Sequence, residues 1–71
     1  MKNNIEFENG TFGTKAIIKG LWEDRYLKSL LERDVQELEL NNGKGWIGEN
    51  VDFLRFLPNL KSLIIISVQI Y

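Results

Sequence analysis

One apolar pattern occurs twice in this chain: Val35-x-x-Leu38-x-Leu40 and Leu60-x-x-Leu63-x-Ile65, 25 residues apart. An earlier pair, Ala16 and Ile18, precedes Leu38 and Leu40 by 22 residues, with Gly13 at the first apolar position. Apolar residues at every second position, with polar residues between them, mark strands that bury one face. A strand and the segment that follows it are too small to bury that face alone. Units of 22 to 25 residues therefore have to stack and share a core. The expectation is an α/β chain of strand–helix units, repeated two to three times over residues 15–71, with parallel strands.

The intervening residues fit this reading. Ile5 to Glu8 alternates apolar and acidic residues, and Asn9-Gly10 follows. Asn-Gly between β-prone segments favours a hairpin, because both residues tolerate the positive φ of a type I′ turn. Residues 1–14 are thus expected to form a β-hairpin cap, and 15–19 the first strand of the repeat. Trp22, Tyr26, Leu27, Leu30 and Leu31 form an apolar stripe at helical spacing, which predicts a helix over Trp22 to Arg33. Glu23 and Asp24 would sit in its first turn, Arg33 in its last, and Asp24 would pair with Lys28. A strand over 35–40, a Gly-rich loop over 41–48 and a strand over 60–66 come next. Between the loop and the last strand, Asn50 would cap a short helix over 51–57 that Pro58 ends.

The L-x-x-L-x-L pattern at this spacing resembles leucine-rich repeats. The stretch Phe53-Leu54-Arg55-Phe56-Leu57-Pro58-Asn59-Leu60-Lys61-Ser62-Leu63 is similar to the join between one repeat's outer helix and the next repeat's strand. The family's Asn or Cys, three positions after the last strand Leu, is replaced by Gly43 and Val68, with Asn42 one residue early. The resemblance implies a solenoid fragment with parallel strands on a concave face and short helices outside. It also implies a non-catalytic protein–protein interaction module. A compact α+β domain is the alternative fold. Leu38, Leu40, Leu63 and Ile65 would enter the core, with Tyr26, Leu30, Phe53 and Phe56 packed on them. The chain reads as one domain, and because an Ile-rich last strand invites pairing, it is expected either to be the N-terminal part of a longer repeat protein or to have that edge covered by a partner.

Composition limits the chemistry. There are 71 residues, 9 basic against 10 acidic, and neither Cys nor His. The balance gives no electrostatic claim on nucleic acid or an anionic membrane. The lack of Cys and His leaves no thiolate nucleophile, no sulfur metal site and no imidazole base, so no cofactor or metal is expected. Leu63 to Ile66, the longest apolar run, is far short of a membrane span, and a cytoplasmic protein is the default.

Alternation gives the outward residues of the concave face. They are Lys15, Ile17 and Lys19, then Glu37, Glu39 and Asn41, then Ser62, Ile64 and Ile66. The last six are the expected partner-binding residues, and self-association through the C-terminal strand is a further expectation. Ile64 and Ile66 are apolar on an open face, which marks contact surfaces. Glu37 and Glu39 stand about 6.6 Å apart along the strand, within the range of glycosidase carboxylate pairs. They face the same way rather than flanking a cleft, so solvated charges are expected.

Gly43-x-Gly45-x-x-Gly48 matches a dinucleotide fingerprint between a strand and a helix, which keeps a nucleotide-binding enzyme fragment as an alternative. Trp46 within the loop, the short helix and the lack of an acidic residue near position 68 favour a repeat-connecting loop. In that loop Ile47 is expected to pack beneath the strand and Trp46 to stay partly exposed. An orphan structural fragment is the third possibility.

Overall fold

In the computed structural model, which describes residues 4–47 and 51–66, the first alternating segment becomes a β-hairpin. Strand β1 (Asn4–Asn9) pairs antiparallel with β2 (Thr14–Lys19), with Asn9 opposite Thr14. The connection is a four-residue loop, Gly10 to Gly13, rather than the two-residue turn expected from Asn9-Gly10. The Gly10 N–H donates to the Gly13 carbonyl at 2.7 Å. Gly13 supplies the positive φ, 136°, that the loop requires.

The helix is shorter than its apolar stripe predicts. Helix α1 spans Arg25–Glu32 and buries Tyr26 and Leu30. It is preceded by a tight turn in which Tyr26 and Leu27 donate to the carbonyls of Glu23 and Asp24. The acidic pair therefore lies before the helix, not in its first turn, and Asp24 accepts from the Trp22 indole instead of pairing with Lys28. Lys28 reaches Glu32, at 3.8 Å. The helix ends in a Schellman motif: Asp34 donates to Leu31 and Val35 to Leu30. Asp34 takes the left-handed position, φ 49°, where glycine is usual.

Strand β3 (Glu37–Asn41) lies parallel to β2, and β4 (Ser62–Ile66) parallel to β3. The sheet order is β1-β2-β3-β4, so sequence neighbours are spatial neighbours. Equivalent pattern positions share rows: Ala16 pairs with Leu38 and Leu38 with Leu63, while Leu40 pairs with Ile65. The result is a small mixed α/β domain with an open four-stranded sheet and, among the described residues, one α-helix.

The helix-side face of the sheet carries the core. Ala16, Ile18, Leu38 and Leu40 pack with Tyr26, Leu30, Val35, Trp46, Phe53 and Leu57. Ile5 and Phe7 of β1 are partly buried against it, with the Arg33 guanidinium 4.2 Å from the Phe7 ring centre. Residues 51–57 are not an α-helix. They contain a five-residue 3₁₀ segment, Asp52–Phe56, anchored by Phe53. Phe53 stacks flat on Trp22 at 3.8 Å and meets Trp46 edge-on.

Three expected core positions are outside the core. Leu63 is 41% exposed, Ile65 54% and Phe56 55%. The layer that covers Leu38 and Leu40 does not reach β4 among the described residues. Trp46 and Ile47 are exchanged relative to expectation. Trp46 is buried, because its bridge to Gly20 turns the indole inward, and Ile47 is exposed. The Asn50 cap, Gly48 and residues 67–71 lie outside the described residues.

Candidate functional site: the open face of the sheet

The face opposite α1 collects the residues that alternation turns outward. Register sets them in rows across four strands. Glu8, Lys15, Glu37 and Ser62 form one row; Glu6, Ile17, Glu39 and Ile64 form the next; Asn41 pairs with Ile66. All six expected contact residues, Glu37, Glu39, Asn41, Ser62, Ile64 and Ile66, thus share one face.

They do not share one environment. Glu39 is 4% exposed rather than solvated. Its carboxylate takes Lys15 Nζ at 2.9 Å on one oxygen. The other takes Lys44 Nζ at 2.8 Å and Asn41 Nδ2 at 3.1 Å. A carboxylate removed from water needs such partners to stay ionised. The hydrogen bonds from Lys15 and Lys44, aided by Asn41, outweigh burial and hold its pKa down at about 2. The same contact with Glu39 raises the pKa of Lys15. Glu39 is therefore an anion at neutral pH, already occupied by two cations.

Glu37 is 6% exposed, again against expectation. The hairpin loop folds across it: the Phe12 N–H donates to Glu37 Oε2 at 2.8 Å. Gly10 lies so close that an added Cβ would overlap the same oxygen. Lys15 stands opposite Glu37 in register but bonds Glu39 one row along, and Lys19 pairs with Glu6 at 3.0 Å. The two glutamates are held apart by separate internal partners. They close the middle of the face instead of forming an exposed acidic patch.

The glycine loop is built for the fold. Asn41 Oδ1 accepts from the Gly43 N–H at 2.8 Å, and Asn42 Nδ2 donates to the Trp46 carbonyl at 3.2 Å. Gly45 adopts φ 109°, and its carbonyl accepts from Gly20 at 2.7 Å. Asn42 thus ties the two ends of the loop together. The Trp46 and Ile47 N–H groups are spent on Asn41 and Gly20 carbonyls, and Lys44 on Glu39. The helical segment after the loop, Asp52–Phe56, is a five-residue 3₁₀ turn, too short to present a helix dipole to a phosphate.

At β4 the face opens. Ser62 and Ile64 are half-buried and Ile66 is 40% exposed. On the other face of the same strand lie Leu63 and Ile65, which sequence reasoning placed in the core. Two participants were missed. Lys44 sits in a loop with no pattern to show that it would turn back onto Glu39. Phe12 contributes only its backbone, which side-chain patterning does not read. A small concavity between the α1 terminus and Leu57–Asn59, about 50 Å³, offers room for a few waters, not for a nucleotide. No helix among the described residues is long and apolar enough to cross a membrane. Comparison of the chain with protein-family models, with curated proteins and with solved structures finds no match.

Proposed function

We propose that this chain is a non-catalytic protein-interaction module of leucine-rich-repeat type, with β4 as its contact strip. The observation that carries this reading is a contrast within rows. Leu38 and Leu40 are fully buried on β3, whereas their neighbours Leu63 and Ile65 on β4 are about half exposed. Ile66 adds exposed apolar surface on the opposite face. An uncharged strand with apolar residues open on both sides is a surface for another polypeptide. Ser62, Ile64 and Ile66 belong to that strip, while Glu37, Glu39 and Asn41 brace the sheet behind it. The parallel pairing of β2, β3 and β4 at a regular spacing supports the repeat-like character of the stack. A cytoplasmic setting belongs to the same proposal.

Affinity capture from a lysate of the source cell tests it. Wild-type chain is compared with Ile66→Lys and with Lys28→Glu on the far side of α1. The expected result is a captured protein that is lost with Ile66→Lys and retained with Lys28→Glu. Equal capture by all three chains, or capture by none, sinks the reading.

A further inference from the structure

We propose that β4 pairs with β4 of a second copy of this chain, antiparallel, about a two-fold axis through Ile64. The inference rests on β4 being the contact strip and names its partner. The backbone fixes which groups the open edge offers. Ser62 N–H donates to the Gln36 carbonyl, so Ser62 turns its backbone toward β3. In a strand, successive residues turn N–H and C=O to opposite sides. Ile64 and Ile66 therefore follow Ser62 toward β3, and Leu63 and Ile65 turn both groups to the open edge. These two residues lie symmetrically about Ile64. An antiparallel copy centred there sets Leu63 against Ile65 of its mate, twice, and each pair exchanges two N–H···O=C bonds. All four outward groups of the described strand are satisfied at once.

The side chains agree with that register. Leu63 and Ile65 are the exposed residues of the helix-side face. The two-fold brings both from each copy into one four-residue apolar cluster that continues the core across the joint. On the open face Ile64 meets Ile64, and Ile66 meets Ser62. No charge lies within Ser62–Ile66, so self-pairing sets no like charges opposite each other. The other edge is unsuited to the same use. Strand β1 carries Glu6 and Glu8 on its exposed face, and two such edges would set carboxylates together.

The pairing strand is short, so association is expected to depend on concentration, with dimers prevailing from about 0.1–1 mM. Sedimentation equilibrium of the full chain across that range should show the mass rising to twice that of one chain and stopping there. Ile65→Lys, at a half-exposed position, should weaken association at least about tenfold while circular dichroism stays unchanged. The register is read by cysteine pairing, which the absence of native Cys makes unambiguous. Opposed residues at such a centre stand about 4.5 Å apart, within disulfide reach. Ile64→Cys should cross-link to itself. Ser62→Cys and Ile66→Cys should each fail alone and cross-link when mixed, which keeps the register testable should Ile64→Cys not fold. A single-chain mass at every concentration overturns the proposal. Growth beyond the dimer, or a dimer without these cross-links, overturns the two-fold register. A monomer that still captures another protein through Ile66 leaves the contact strip standing and removes only self-pairing.

Discussion

Glu39 accepts from Lys15, Lys44 and Asn41 while almost wholly removed from water. Its folded pKa, about 2, lies below the ordinary 4.5, so its stabilisation is complete above the unfolded value. That contribution is lost as pH falls from about 4.5 to about 2. Glu39→Gln should lower unfolding stability at pH 7 by about 1–2 kcal/mol, allowing for the exposure of Lys44. The difference from wild type should shrink as pH falls through 4.5 and close only below about pH 2. Urea titrations at about pH 7 and below about pH 2 measure it, and an equal deficit at both would show that the loss is not ionic. Glu37 gives a steric counterpart. Gly10→Ala should cost about 1–2 kcal/mol, because the new methyl displaces a buried carboxylate from the Phe12 N–H. In Glu37→Ala that cost should shrink to a few tenths, and a thermal-melt double-mutant cycle reads the coupling. Alternation placed both glutamates on the correct face. It could not show their burial, because the cover comes from a loop backbone and from Lys44, and neither leaves a periodic signal.

Helix α1 shows what element-level patterning sees and misses. The apolar stripe located the helix and its buried side chains, Tyr26 and Leu30. Its limits were set by other contacts: the Trp22 indole uses Asp24, and the Schellman bonds stop the helix at Asp34. Nothing in the sequence marks that stop, since the usual glycine is absent. Asp34 instead bears the left-handed strain itself, at φ 49°. Asp34→Gly should therefore raise stability by about 0.5–1 kcal/mol, less whatever the 3.4 Å contact from Asn59 contributes. Asp34→Val, branched at Cβ, should lower stability by at least as much. Chemical denaturation of the two variants checks the sign, and a stabilising valine would remove the strain argument. The segment over 51–57 illustrates a different limit. Its apolar spacing suits a helix, but the stacking of Phe53 between Trp22 and Trp46 fixes a tighter 3₁₀ course.

Across the whole molecule, strand order follows sequence order and burial falls away from the middle. Strands β2 and β3 are paired on both sides and covered by α1 and the 3₁₀ segment. Among the described residues, strand β4 is paired on one side only, with Leu63 and Ile65 exposed on one face and Ile66 on the other. The repeat pattern made the parallel register of β2, β3 and β4 legible. The same pattern placed Leu63 and Ile65 in the core, because it reports which way a side chain points and not whether a layer lies above it. This architecture predicts a gradient in amide exchange. The amides of β2 and β3 should exchange only through global unfolding, while those of β4 also exchange through local opening. Below the concentrations at which copies of the chain would pair, β4 itself should alternate. Ser62 and Ile64, turned toward β3, should be protected, and Leu63 and Ile65, turned to the open edge, should exchange at rates close to those of an unfolded chain. Residue-resolved hydrogen exchange by NMR measures both the gradient and the alternation. Uniform protection along β4 in a dilute monomer would mean that the edge is already covered within the chain, and that a partner strand has no free groups to meet.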